Sequence, residues 1–216
     1  MRKFINQDVE YLFRYLINRR KFPKLSDDSM SGEGFSKRLS ELCCSKNVLE
    51  FGAGGSTLLL AKIANYVISI DSDKKFLNYI KGSCAQLNGN MLLLYANIGL
   101  VKTFGQPIFF LKILYKKKYR LYTDIFFKNQ KIRFIPDIVF IDGRFRVWCA
   151  VQSTLHISKD FVIIFDDYFS RPEYWIVENF LGRPEHFCND SAIFYVKAPN
   201  INVNELEYDK FQFDYR

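Results

Sequence analysis

Five short apolar runs, each closed by an acid or an amide, constrain this chain more than any other feature. "NVLEF" carries Glu50 at its end, "YVISID" closes at Asp71, "NMLLLYAN" at Asn97, "PDIVFID" at Asp142 and "FVIIFDD" at Asp166 and Asp167. Runs that are apolar at nearly every position, and not at alternate ones, belong to strands covered on both faces. Between them lie helical stretches, expected at 35–44, 56–64, 73–86, 144–157 and near 172–181. Strands alternating with helices in this way build a parallel sheet with helices on both sides. The tail differs: "EHFCN" and "AIFYVK", joined by a turn at Asp190, read as an antiparallel hairpin. The fold class expected is α/β, a Rossmann-like, doubly wound, mostly parallel sheet ending in that hairpin.

Ahead of the first strand, Val9, Leu12, Phe13, Leu16 and Ile17 stand at helical spacing, followed by a Pro/Gly-punctuated loop. The boundaries expected are therefore a helical lead-in at 1–45, the α/β domain at 46–198 and a tail at 199–216. A chain of 216 residues is most simply one domain, burying roughly two thirds of its unfolded surface. No apolar run reaches the roughly 18 residues that span a bilayer. The first residues meet Asp8 and Glu10 before any hydrophobic stretch forms, so a signal peptide is not expected. Five cysteines, an odd number with no C-x-x-C pair, point to reduced thiols and a cytoplasmic protein, without a disulfide framework.

The net charge of +8 is concentrated in one place. Between Lys112 and Arg133 eight basic residues face one acid, Asp124, for a local charge of +7. Aromatic residues (Tyr115, Tyr119, Tyr122, Phe126, Phe127) are interleaved with them. This insertion, 106–133, suits a nucleic acid, a phosphorylated substrate or an anionic membrane surface, or else a solvated segment whose aromatics pack on the domain. Its ends emerge where strand-end ligands bind, so a mobile cover over an anionic acceptor is expected of it.

Ligands of such sheets bind at the C-terminal strand ends. Acids or an amide at five successive strand ends exceed what helix capping accounts for. "EFGAGGST" adds a turn in which Gly52 and Gly54 let something approach the backbone, and Glu50 offers an acceptor to a donor on it. Asp71 lies 17 residues beyond Gly54, near the spacing at which an acid binds ribose hydroxyls. The ligand read from this is a nucleoside. Thr57 stands where a dinucleotide fingerprint needs glycine, whereas an aminoacyl nucleoside gives Glu50 an ammonium to bind, directly or through water.

These residues resemble the class I S-adenosylmethionine-dependent methyltransferases over about residues 30–198. "LEFGAGGST" is similar to their first motif, E/D-x-G-x-G, and "ISIDSD" to their second. The resemblance implies a cofactor site of Glu50, Gly52, Gly54, Ser56, Thr57, Asp71, Ser72, Asn97 and Ile98. Gly52 and Gly54 would face the methionyl part, Asp71 the ribose, and Asn97 the adenine amine, there with an amide where many members have Asp. "IDGRFRVWCAVQSTLHISKDFVIIFDDY" resembles a bacterial branch with D-G-R-F-R followed by F-D-D-Y. Asp142, with Asp166 and Asp167 placed 24 and 25 residues later, is similar to the metal acids of catechol-type and macrocin-type O-methyltransferases. That implies Mg²⁺ or another divalent cation, which would also relieve the repulsion of converging carboxylates. Arg144 and Arg146 offer neutralisation without metal. Arg144 replaces an acid proposed as base in macrocin-type enzymes, and suits an anionic substrate group instead.

The expected activity is O-methylation of a small hydroxylated, sugar-like or anionic acceptor, with Asp142, Arg144, Asp166 and Asp167 at the chemistry. The alternatives are an RNA methyltransferase, favoured by the basic insertion but lacking the Asn/Asp-Pro-Pro-aromatic motif, and a cofactor-binding scaffold without turnover. His156 reads as a helix-end structural residue and His186 as a tail-strand residue. Trp148 and Cys149 read as helix packing, and Tyr174 and Trp175 as pocket border or core.

Overall fold

The computed structural model describes residues 22, 25, 34–84, 90–102, 105–108, 116–198 and 205–214. The helix expected at 9–17 lies outside them, as does the end of the helix expected to reach Gln86. All five apolar runs form strands: β1 (Asn47–Phe51), β2 (Tyr66–Asp71), β3 (Met91–Tyr95), β4 (Ile138–Ile141) and β5 (Phe161–Phe165). The tail hairpin forms β6 (Glu185–Cys188) and β7 (Ser191–Val196). The seven strands make one sheet in the order β3-β2-β1-β4-β5-β7-β6. β1 to β5 pair in parallel, and β7 runs antiparallel to both β5 and β6. Strand order reverses between β1 and β4, where Glu50 lies opposite Phe140. That switch point opens the crevice in which such sheets take their ligands.

Helices cover both faces at the sheet centre, where the residues of β1, β2, β4 and β5 are nearly all buried. On one face, α1 (Phe35–Cys43) buries Phe35, Leu39 and Cys43, and α2 (Gly55–Ile63) buries Leu59, Leu60 and Ala61. They pack with Val48, Val67, Phe140 and Ile164 of the strands. α3 (Lys74–Ser83) starts where the Asp73 side chain accepts from the Lys75 and Phe76 amides, both at 3.1 Å, a cap for otherwise unpaired donors. On the other face lie α4 (Leu121–Phe127) and α5 (Arg146–His156), the latter buried from Arg146 to Thr154. Ser153 and Thr154 endure that burial by donating to the Cys149 and Ala150 carbonyls. A 3₁₀ turn (Pro172–Val177) and α6 (Glu178–Leu181) precede the hairpin, and α7 (Glu205–Tyr208) packs on α5.

The described part of the insertion is not a cover. Tyr119, Tyr122 and Phe126 are buried in the main core, with Tyr119 and Tyr122 ring centroids 5.2 and 5.4 Å from Phe145. Burial of each such ring stabilises by about 1.5–3 kcal/mol, so this segment is built into the domain. Arg120 ties it to the tail through Asp209 and Gln212. The expectation of a mobile cover fails here because its aromatics have a core to enter. All five cysteines are free thiols. Among the described residues no helix is long and apolar enough to cross a membrane.

Candidate functional site

At the switch point a cavity of about 490 Å³ collects residues from four strand ends. Gly52, Gly54 and Ser56 come from the β1 turn, Asp71 from β2, Asp142 and Arg144 from β4, and Asp166 and Asp167 from β5. Tyr122, Arg146 and Arg171 complete the polar lining.

The two glycines of the β1 turn do different work. Gly52 has φ +105°, and a Cβ built on it would lie 2.5 Å from the backbone N and Cα of Gly143. On its Cβ side the close approach is therefore between two strand-end loops, Gly52 against Gly143, while Gly52 also borders the cavity. Gly54 is extended, with φ −171°, and nothing lies within 4 Å of where its Cβ would be. Space for a ligand exists at Gly54.

Glu50 departs from expectation. It is fully buried and does not line the cavity, and neither does Thr57. Its two carboxylate oxygens accept from the Ser56 hydroxyl and, at 2.7 Å, from the Thr57 hydroxyl. Thr57 Oγ1 in turn accepts from the Gly54 amide at 2.9 Å. Glu50 thus fixes the turn that shapes the site, and the direct ammonium contact read from the sequence is not available to it. Burial raises its pKa, with the hydroxyls of Ser56, Ser69 and Thr57 pulling the other way.

Asp71 ends β2 almost completely buried, and its Oδ1 accepts from the Asp73 amide at 2.7 Å. Burial pushes its carboxyl up to about 7, against the opposing pull of backbone amides. Ser72 donates to the Gly105 carbonyl at 3.2 Å, which folds the loop after β3 against Asp71. Asn97 lies apart from the main cavity, in a second hollow of about 250 Å³ bordered by Ser72, Asp73, Lys74, Tyr95 and Lys118. Its Oδ1 accepts from the Gly99 amide at 3.3 Å. Ile98 is a core residue and lines neither space, because the chain turns at Gly99 (φ +103°) and points Ile98 inward.

The acids of β4 and β5 converge as expected. Carboxylate oxygens of Asp142, Asp166 and Asp167 lie within 4.8 Å of one another. The side chain between them is Arg146: its Nη2 donates to Asp142 Oδ1 at 3.0 Å and to Asp167 Oδ2 at 3.1 Å. Arg171 Nη2 donates to the same Asp167 oxygen at 2.7 Å, and the Ser191 hydroxyl donates to Asp166. This set as it stands does not fit a divalent cation, because a buried guanidinium already holds one oxygen each of Asp142 and Asp167. Burial at the cavity floor raises the Asp142 pKa well above the usual range. Arg146 opposes that rise, while Asp166 and Asp167 add to it. Arg144 and Asp71 both lie beside Gly105, and burial lowers the Arg144 pKa.

Sequence reasoning missed Tyr122, Gly143 and Arg171. Tyr122 accepts from the Arg144 amide at 3.3 Å, holding the β4 loop to the insertion, and no local signal announces that. Arg171 had one: Asp142 and Arg146, like Asp167 and Arg171, share the spacing D-x-x-x-R. His156 is exposed and stacks on Phe127 at 5.2 Å, far from the acids in the fold. Tyr174 is core, whereas Trp175 is exposed.

No protein-family model matches the sequence, and no curated protein matches it. Solved structures do match. A methyltransferase-like protein of Silicibacter pomeroyi aligns over 87% of this chain and 98% of its own, at 26% identity and TM-score 0.73. The T. thermophilus 16S rRNA N2 G1207 methyltransferase, solved with AdoMet and guanosine, aligns over 78% of this chain and 44% of its own, at 12% identity and TM-score 0.53. That likeness is one of fold alone. An O-methyltransferase of Bacillus cereus, solved with SAH, aligns more loosely, over 82% and 70% at 17% identity and TM-score 0.46. By strand order, terminal hairpin and neighbours, the chain has the fold of the class I S-adenosylmethionine-dependent methyltransferases.

Proposed function

We propose that the protein transfers a methyl group from S-adenosylmethionine to a hydroxyl of a small acceptor that carries an anionic group. One observation carries this reading: a single cavity joins the open face of Gly54 and the carboxylate of Asp71 to Asp142 and three arginines. The residues fit the cofactor, since Gly54 leaves room beside the backbone and Asp71 supplies a buried acceptor for ribose hydroxyls. Ser56 borders the methionyl end, and the hollow beside Ser72 and Asn97 takes the adenine. Glu50, Thr57 and Ile98 act indirectly, by shaping the turns. When bound, S-adenosylmethionine supplies an electrophilic methyl on a sulfonium.

Asp142, facing the cavity, takes the proton from the acceptor hydroxyl as its oxygen attacks. A positioned general base is worth about 10²–10⁴ in rate. Arg144 and Arg171 hold the acceptor's anionic group, and Asp166 and Asp167 fix Arg146 and Arg171 in place. The test is titration with S-adenosylhomocysteine, then turnover of labelled cofactor with hydroxylated acceptors and with RNA. Tight binding lost in Asp71→Ala, and turnover lost in Asp142→Asn with cofactor affinity kept, are the expected results. Absence of binding to the wild type sinks the reading. The exposed Lys117 and Lys118 favour a second reading, methylation of RNA, which turnover on RNA alone would establish.

A further inference from the structure

The carboxylates of Asp142, Asp166 and Asp167 have the spacing of a divalent-cation site, yet a side chain of opposite charge is bonded to two of them. The Arg146 side chain is only 7% exposed. Besides its bonds to Asp142 and Asp167, its Nε donates to the Gly143 carbonyl at 3.0 Å and its Nη1 donates to the Asp166 carbonyl. One guanidinium thus ties the β4 loop to the β5 loop, with all three of its nitrogens donating. The Tyr174 ring lies 5.7 Å from the guanidinium carbons of both Arg146 and Arg171, which leaves both cations further stabilised.

We propose that Arg146 is the resident cation of this centre. It is a positioning residue: it pairs with the Asp142 and Asp167 carboxylates, aims Asp142 into the cavity and excludes divalent metal, so the chemistry served here is metal-independent. A divalent ion bound by these acids would compete with the Arg146 bonds to the Asp142 and Asp167 carboxylates and set a second positive charge beside a buried guanidinium. The same acids without Arg146 would be a competent all-oxygen site. What the centre serves rests on the methyl-transfer reading, but metal exclusion does not, and it is measured without cofactor or acceptor.

The experiment is Mn²⁺ titration of the full chain, read by electron paramagnetic resonance, with melting temperature followed in parallel. The wild type is expected to take up no Mn²⁺ at micromolar concentrations and to melt at the same temperature with or without it. Arg146→Met should bind Mn²⁺ at least about tenfold more tightly than the wild type, and Mn²⁺ should raise its melting temperature. Adding Asp142→Asn to that variant should abolish the gain. Arg146→Lys, which keeps a charge at the centre, should fold and still exclude the metal. Micromolar Mn²⁺ binding by the wild type, removed by Asp167→Asn, overturns the proposal. So does Mn²⁺ binding by Arg146→Lys as tight as that of Arg146→Met. If Arg146→Met does not fold, the wild-type and Arg146→Lys titrations decide. Loss of S-adenosylhomocysteine binding with these metal results intact would sink the methyl-transfer reading alone.

Discussion

Alanine at Gly52 and alanine at Gly54 should behave as opposites, although the two glycines are separated by a single residue. At Gly52 the backbone is left-handed, with φ +105°, and the new methyl would sit 2.5 Å from Gly143 N and Cα. An L-residue in the left-handed region costs about 1–2 kcal/mol. Overpacking against an atom that cannot rotate away costs about 1–3 more. Together these come to about 2–5 kcal/mol, a large share of the roughly 5–15 kcal/mol that holds a domain folded. At about 2–4 °C per kcal/mol for a chain of this size, the melting temperature should fall by on the order of 10 °C. Gly54 is extended and its Cβ would meet nothing within 4 Å, so Gly54→Ala should cost under about 1 kcal/mol, mainly through a poorer N-cap. Its methyl instead enters the space assigned to the methionyl end, so S-adenosylhomocysteine affinity should drop. The assays are thermal unfolding of the free protein and isothermal titration of the ligand. Equal melting temperatures for the two variants would falsify the assignment of Gly52 to loop-against-loop packing. Unchanged affinity in Gly54→Ala would remove the ligand from that turn.

Asp71 gives a pH test. Its folded carboxyl titrates near 7 and an unfolded one near about 4, so the folded state keeps a proton that the unfolded state has lost. Stability of the free protein should therefore fall as pH rises from about 4 to about 7, and circular-dichroism melts of Asp71→Asn should lose that slope. Ligand affinity should rise through pH 7 as the carboxylate forms, and Asp71→Asn should bind about 10–100-fold more weakly at pH 8, as expected for losing hydrogen bonds to a charged group. Reversing the exposed Lys117 to Glu should raise the acceptor KM with cofactor affinity nearly unchanged. That effect should shrink with added salt, since exposed charges are screened beyond about 8 Å at physiological ionic strength. Kinetics that ignore the reversal would make this lysine part of a plain solvated surface.

What the sequence determined by itself was local. An apolar run closed by an acid specifies a covered strand and where it stops, so all five parallel strands and the terminal hairpin were legible from pattern alone. The strand-end rule then placed Asp71, Asp142, Asp166 and Asp167 on one rim, because parallel strands end on the same side. Pairings between distant loops were decided only by the tertiary structure. The glycine at position 52 announces a tight place, but not that Gly143 is what crowds it. Glu50 reads as a ligand acceptor until the start of α2 brings Ser56 and Thr57 onto both its oxygens. Tyr122 looks like one more aromatic in a basic insertion, and becomes part of the site because its ring packs under Phe145. The choice between Arg144 and Arg146 turns on one backbone angle. Phe145 sits at φ +56°, reversing the chain there, so Arg144 faces Asp71 while Arg146, opening α5, turns inward to the acids. A dihedral set by the packing of a buried ring leaves no mark in the order of residues.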